Sequence, residues 1–65
     1  MFNEFDSVIL KRSLNDSVPV GSIGAVLMVL TDEQEEKAYE VEFVDDRGNT
    51  LDILTVTEAD LSLKQ

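Results

Sequence analysis

The chain contains no cysteine and no histidine. Without cysteine no disulfide can brace the fold and no thiolate metal site can form, a composition that suits a reducing compartment. Without histidine the commonest general base at neutral pH, and the commonest transition-metal ligand, are missing. Bases are scarce as well, five against fourteen acids, for a net charge of −9. A field of that sign repels phosphate, so nucleic acid and anionic membrane surfaces are poor partners. Long apolar runs are also lacking. The longest, Ala25 to Leu30, has six residues, far short of a membrane span. Met1 to Asp6 carries acids where an export signal needs bases, so a cytoplasmic location is expected.

What remains is 65 residues, of which 43% are apolar. That is enough for one small core and too little for two, so residues 1–65 are expected to form a single domain. A chain of this size buries only about 60% of the surface it exposes when unfolded.

The spacing of the apolar residues predicts strands. Ser7 to Lys11 alternates, with Val8 and Leu10 on one side. Lys11 to Pro19 is rich in turn formers and holds the only proline, so it reads as a loop. Gly21-Ser22-Ile23-Gly24 reads as a tight turn entering a strand, with at least one glycine at positive φ. Ala25 to Leu30 is apolar on both faces, Val26, Met28 and Leu30 opposing Ala25, Leu27 and Val29. Either a bent strand serves both halves of the core, or one face awaits a partner.

Thr31 to Lys37 has no apolar residue. It reads as a hairpin loop with one helical turn at most, Thr31 and Gln34 matching a capping box. Ala38 to Val44 is the clearest strand: Tyr39, Val41 and Phe43 share the core face, and Glu40 and Glu42 point to water. Asp45-Asp46-Arg47-Gly48-Asn49 reads as a type I turn with Gly48 in a left-handed G1 bulge. Thr50 to Val56 is a further strand whose imperfect alternation calls for a bulge near Ile53. Thr57 caps a single helical turn whose Leu61 folds back on the core, and Ser62-Leu63-Lys64 forms a short last strand.

So many short antiparallel strands must curl to enclose a core. The expected fold is all-β, a small five-stranded, half-open SH3-like barrel with one short helical turn before the last strand. The expected core is Val8, Leu10, Val26, Tyr39, Val41, Phe43, Val56 and Leu61.

The stretch Phe2 to Leu10, the segment Val20 to Val26, the strand Glu40-Val41-Glu42-Phe43 and the end from Thr55-Val56 to Leu61 together resemble a widespread bacterial family. Its members are short, acidic domains of unknown function, and the resemblance covers nearly the whole chain. The family usually carries an acid and a threonine around the second glycine, where this chain has Ser22 and Ala25. The resemblance implies an SH3-like barrel without established catalytic residues. Some genes of the family lie beside genes for larger toxin-like proteins, which implies an immunity or antitoxin role.

No catalytic set is visible. The serines have no histidine to activate them, and so small a chain cannot also wall a deep dry pocket. Asp45 to Asn49 lacks the alternating oxygen ligands of a calcium loop, because Arg47 stands where a ligand belongs. No enzyme activity, cofactor or metal is expected.

The acids carry the most information. Asp32, Glu33, Glu35, Glu36, Glu40, Glu42, Asp45 and Asp46 stand against the single Lys37, a local charge of −7. Such a run either keeps a small protein soluble or docks a basic protein partner. Glu40 and Glu42, two apart on a strand, would hold charges ~7 Å apart. The leading expectation is an acidic inhibitor of a basic toxin, as a monomer or weak homodimer. The alternative is an accessory module that packs on a larger protein or on itself.

Overall fold

A computed structural model describes residues 1–31 and 37–64. Five strands, β1 (Ser7–Leu10), β2 (Ile23–Thr31), β3 (Lys37–Val44), β4 (Thr50–Thr57) and β5 (Leu61–Leu63), form one antiparallel sheet in the order β4-β3-β2-β1-β5. A 3-10 turn, Glu58–Asp60, stands immediately before β5. The expected five antiparallel strands, with one short helical turn before the last, are therefore present, and the sheet is not closed: β4 and β5 are its two edges. Val56 from one edge and Leu61 from the other nevertheless belong to the same buried cluster. A flat sheet would keep them four strand spacings apart, about 19 Å, so the sheet curls over its own inner face.

All eight expected core residues are buried. Phe2 and Val18 join them. Both come from segments without strand character. Val18 is held by Asn15, whose Oδ1 accepts the backbone N–H groups of Ser17 and Val18 at 2.9 and 3.1 Å. Ser22 then donates its N–H to the Pro19 carbonyl at 3.1 Å, in a turn with Gly21 at φ +92°. Gly24 is needed for a different reason. It is buried at a close approach, where a Cβ would lie 2.6 Å from Val41 Cγ1 and 2.9 Å from Phe43 Cδ1.

The doubly apolar run is resolved by a bulge. Val26 pairs with Val41 and Met28 with Glu40, leaving Leu27 unmatched. The extra residue changes the phase of β2, because side chains alternate with a period of two. Val26 and Val29 then both serve the core, while Leu27 and Met28 are exposed. The expected grouping of Val26 with Met28 and Leu30 is corrected accordingly.

The irregularity of β4 lies earlier than Ile53. Phe43 pairs with Asp52 and Val44 with Thr50, so Leu51 is the unmatched residue. Leu51 and Leu54 pack on the core, and Ile53 stays exposed. The turn before β4 is as expected: Gly48 has φ +83° and donates its N–H to the Asp45 carbonyl at 3.0 Å. The loop expected over Thr31 to Lys37 is shorter, because Thr31 ends β2 and Lys37 begins β3 as a ladder pair; the rest of that loop, 32–36, with its expected helical turn, lies outside the described residues.

Candidate protein-docking surface

Asp32, Glu33, Glu35 and Glu36 lie outside the described residues, so the structure places the other four acids. Glu40 and Glu42 stand on the outer face of β3, as their alternation with buried Tyr39, Val41 and Phe43 requires. Both are half-buried and do not simply point to water. The correction follows from position: β3 is flanked on both sides, so Glu40 lies between Met28 and Thr55, and Glu42 between Ala25 and Ile53. Thr50 Oγ1 donates to Glu42 Oε2 at 2.6 Å.

Asp45 works for the turn. Its Oδ1 accepts the N–H groups of Arg47 and Asn49, both at 2.9 Å. The Asn49 N–H, and behind it those of Arg47 and Gly48 and the Asn49 side chain, hold this carboxyl below its ordinary range, against a smaller opposing effect of burial. Asp46, by contrast, is exposed. The four described acids thus divide into two on the sheet face, one committed to the turn and one at its tip.

Exposed apolar residues surround the glutamates. Leu27 and Met28 follow the β2 bulge and are 36% and 52% exposed, and Ile53 across β3 is 48% exposed. Tyr39 is fully buried and offers no contact surface. Its ring meets Phe2 edge-on at 5.4 Å, and its hydroxyl accepts the Phe2 N–H and donates to Glu58 Oε1 at 3.2 Å.

A shallow groove of about 550 Å³ opens beside this face, between the segment 19–23, the end of β3 and the start of β4. Val20, Ile23, Val44 and Leu51 line it, with Asp45 and Asp46 at the rim. The Gly21 turn supplies Val20 to its wall, and the unmatched Leu51 of β4 lines it while also packing on the core. The glycines signalled the turn and the broken alternation of β4 signalled a bulge, but neither signal located the groove between them.

The alternation also did not disclose Asp60. This is the one buried charged residue among those described. Its Oδ2 accepts the Thr57 N–H at 2.8 Å and the Thr57 hydroxyl at 3.1 Å, and Arg12 Nε pairs with Oδ1. Burial pushes this carboxyl upward, but the hydrogen bonds from Thr57 and Arg12 and the Arg12 charge together hold it below its ordinary value. The capping pattern at Thr57 pointed to the turn, though not to the arginine 48 positions away. Among the described residues no group of three or more acids could hold a metal ion.

The profile of a domain of unknown function, DUF4926, matches residues 4–63. The chain belongs to the DUF4926 family. The match spans every strand, the bulges of β2 and β4, and all eight acids of the expected docking surface. Comparison with curated proteins and with solved structures returns no match. Among the described residues of this DUF4926 chain no helix is long and apolar enough to cross a membrane.

Proposed function

We propose that this DUF4926 domain is a non-enzymatic protein-binding module, most concretely an immunity- or antitoxin-type inhibitor that neutralises a basic toxin in the bacterial cytoplasm. In this reading the half-open sheet is an SH3-like barrel, and its outer face is the contact surface. One observation carries it: Glu40 and Glu42 stand at fixed positions on the sheet among the exposed side chains of Leu27, Met28 and Ile53. Apolar groups bracketed by acids of one sign suit a partner with apolar pockets and a basic rim. The net charge of −9 adds long-range attraction for such a partner. The test is a pull-down from the native host with mass spectrometry, followed by affinity measurements over a range of salt. The reading requires a basic partner whose affinity falls as salt rises; an acidic or salt-indifferent partner overturns it.

The β4 edge favours a second reading. β4 has eight residues, a single charge at Asp52, and a ladder to β3 alone. An unguarded edge can extend its sheet through another chain, which is how an accessory or self-associating module would assemble. Sedimentation equilibrium over a wide concentration range decides it, a strictly monomeric chain excluding self-association.

A further inference from the structure

Two backbone irregularities meet at one place. Phe5 occupies the third position of the turn Asn3–Asp6, where Asp6 donates its N–H to the Asn3 carbonyl at 3.1 Å. Its φ is +69°, the only positive value among the described non-glycine residues. The left-handed region suits glycine and disfavours a bulky side chain. The Phe5 N–H donates to the Val26 carbonyl at 2.7 Å, and Val26 is the residue immediately before the β2 bulge. The Val26 N–H in turn donates to the Asp6 carbonyl at 3.0 Å, so two hydrogen bonds join the strained turn to the bulge.

Both irregularities turn apolar side chains outward. Phe5 is 78% exposed, Met28 52% and Leu27 36%. The bulge brings Val29 onto the core but leaves Leu27 and Met28 outside it, and Phe5 adds nothing to the core cluster. Glycine at position 5 would make the same turn without strain, and a strand without the bulge would not leave two large apolar residues side by side in solvent. Aromatic residues and methionine are enriched in the centres of protein interfaces, and a strained conformation held at the surface marks a site used for something other than stability. Charge indicates what covers it: exposed Glu4 precedes Phe5, and Glu40 lies opposite Met28.

We propose that Phe5, Leu27 and Met28 are the apolar anchor by which the acidic face docks on a basic partner protein, the phenyl ring entering an apolar pocket rimmed by lysine or arginine. The proposal rests on the protein-binding reading above and names the contact within it. A second copy of the chain is a poor occupant, since each carries −9 and would bring Glu4 and Glu40 against like charges.

The test places the photoreactive residue p-benzoylphenylalanine at position 5 of the full chain in the native host, with the same residue at Val20 in the groove as control. The protein captured at position 5 is purified, and its affinity is measured for the wild type, Phe5→Gly and the double variant Glu40→Lys, Glu42→Lys. The expected capture is a basic protein from position 5 and not from position 20. Phe5→Gly should keep or raise the melting temperature yet weaken binding at least about tenfold. No adduct at position 5, an adduct with the chain itself, wild-type affinity for Phe5→Gly, or a lowered melting temperature of that variant each overturns the anchor. If Phe5→Gly binds as the wild type while the charge reversal weakens binding, the acidic reading stands and the anchor falls. If the charge reversal and salt change nothing while Phe5→Gly does, the anchor stands and the acidic reading falls.

Discussion

Arg12 donates its Nε–H to the buried carboxylate of Asp60, 48 positions along the chain. The contact ties the loop after β1 to the turn before β5, and the Lys11 N–H reinforces it by donating to the Asp60 carbonyl at 2.7 Å. The folded carboxyl titrates below its ordinary value. Its stabilising contribution is therefore complete above the unfolded value of 3.8 and is lost as pH falls through the lower folded value. Asp60→Asn should be less stable than the wild type at neutral pH, with the difference shrinking below about pH 4. Denaturant titrations between pH 2 and 7 measure this, and a difference that stays constant across the range would contradict it.

The glycines separate strain from crowding. Gly48→Val should destabilise by more than ~1 kcal/mol through its backbone alone, since nothing lies within 4 Å of a Cβ there. Gly48→Asn should be much milder, because asparagine tolerates the left-handed region. Gly24→Ala should cost about 1–3 kcal/mol by overpacking, because its Cβ would meet Val41 and Phe43. Urea melts of the three variants read these effects, and equal stabilities for Gly48→Val and Gly48→Asn would refute the turn geometry.

How much of this was legible beforehand depended on which physical rule set each position. Tyr39, Val41 and Phe43 could be read directly, because simple alternation on a strand paired on both sides determines their burial. The phase of β2 beyond Val26 could not, since an unbroken run of apolar residues carries no alternation from which an inserted residue can be located. Val18 was hidden for a similar reason: it reaches the core from a loop, placed by hydrogen bonds to Asn15. The acids were legible as types but not as roles. Asp45 spends its carboxylate on its own turn, and Asp60 is buried against an arginine whose proximity only the tertiary fold creates.

Phe43 is fully buried beneath Gly24, on one of the two most heavily paired strands. Phe43→Ala should cost about 3–5 kcal/mol, most of the stability a domain this small possesses. Far-UV circular dichroism at 25 °C should show loss of the β spectrum. A variant that keeps the spectrum and the melting temperature would mean that the core tolerates the void.

The charge reversal Glu40→Lys with Glu42→Lys should leave the sheet folded, since neither residue contributes to the core. Among the described residues the Thr50 contact to Glu42 is the one side-chain hydrogen bond lost, and relief of self-repulsion offsets it. Against a basic partner the double variant should mainly slow association, and less so as salt rises. Stopped-flow association rates at two salt concentrations provide the measurement; unchanged rates in both would assign these glutamates to solubility alone.

Tyr39 is the only tyrosine of the chain, and there is no tryptophan. All tyrosine fluorescence therefore originates in one ring, packed in the core. That ring touches Phe2 edge-on and hands its hydroxyl proton toward Glu58. The protein thus carries a native, single-site fluorescent reporter. It senses at once whether the amino-terminal segment is seated, whether the 3-10 turn is in place and whether the interior is dry, without any introduced label.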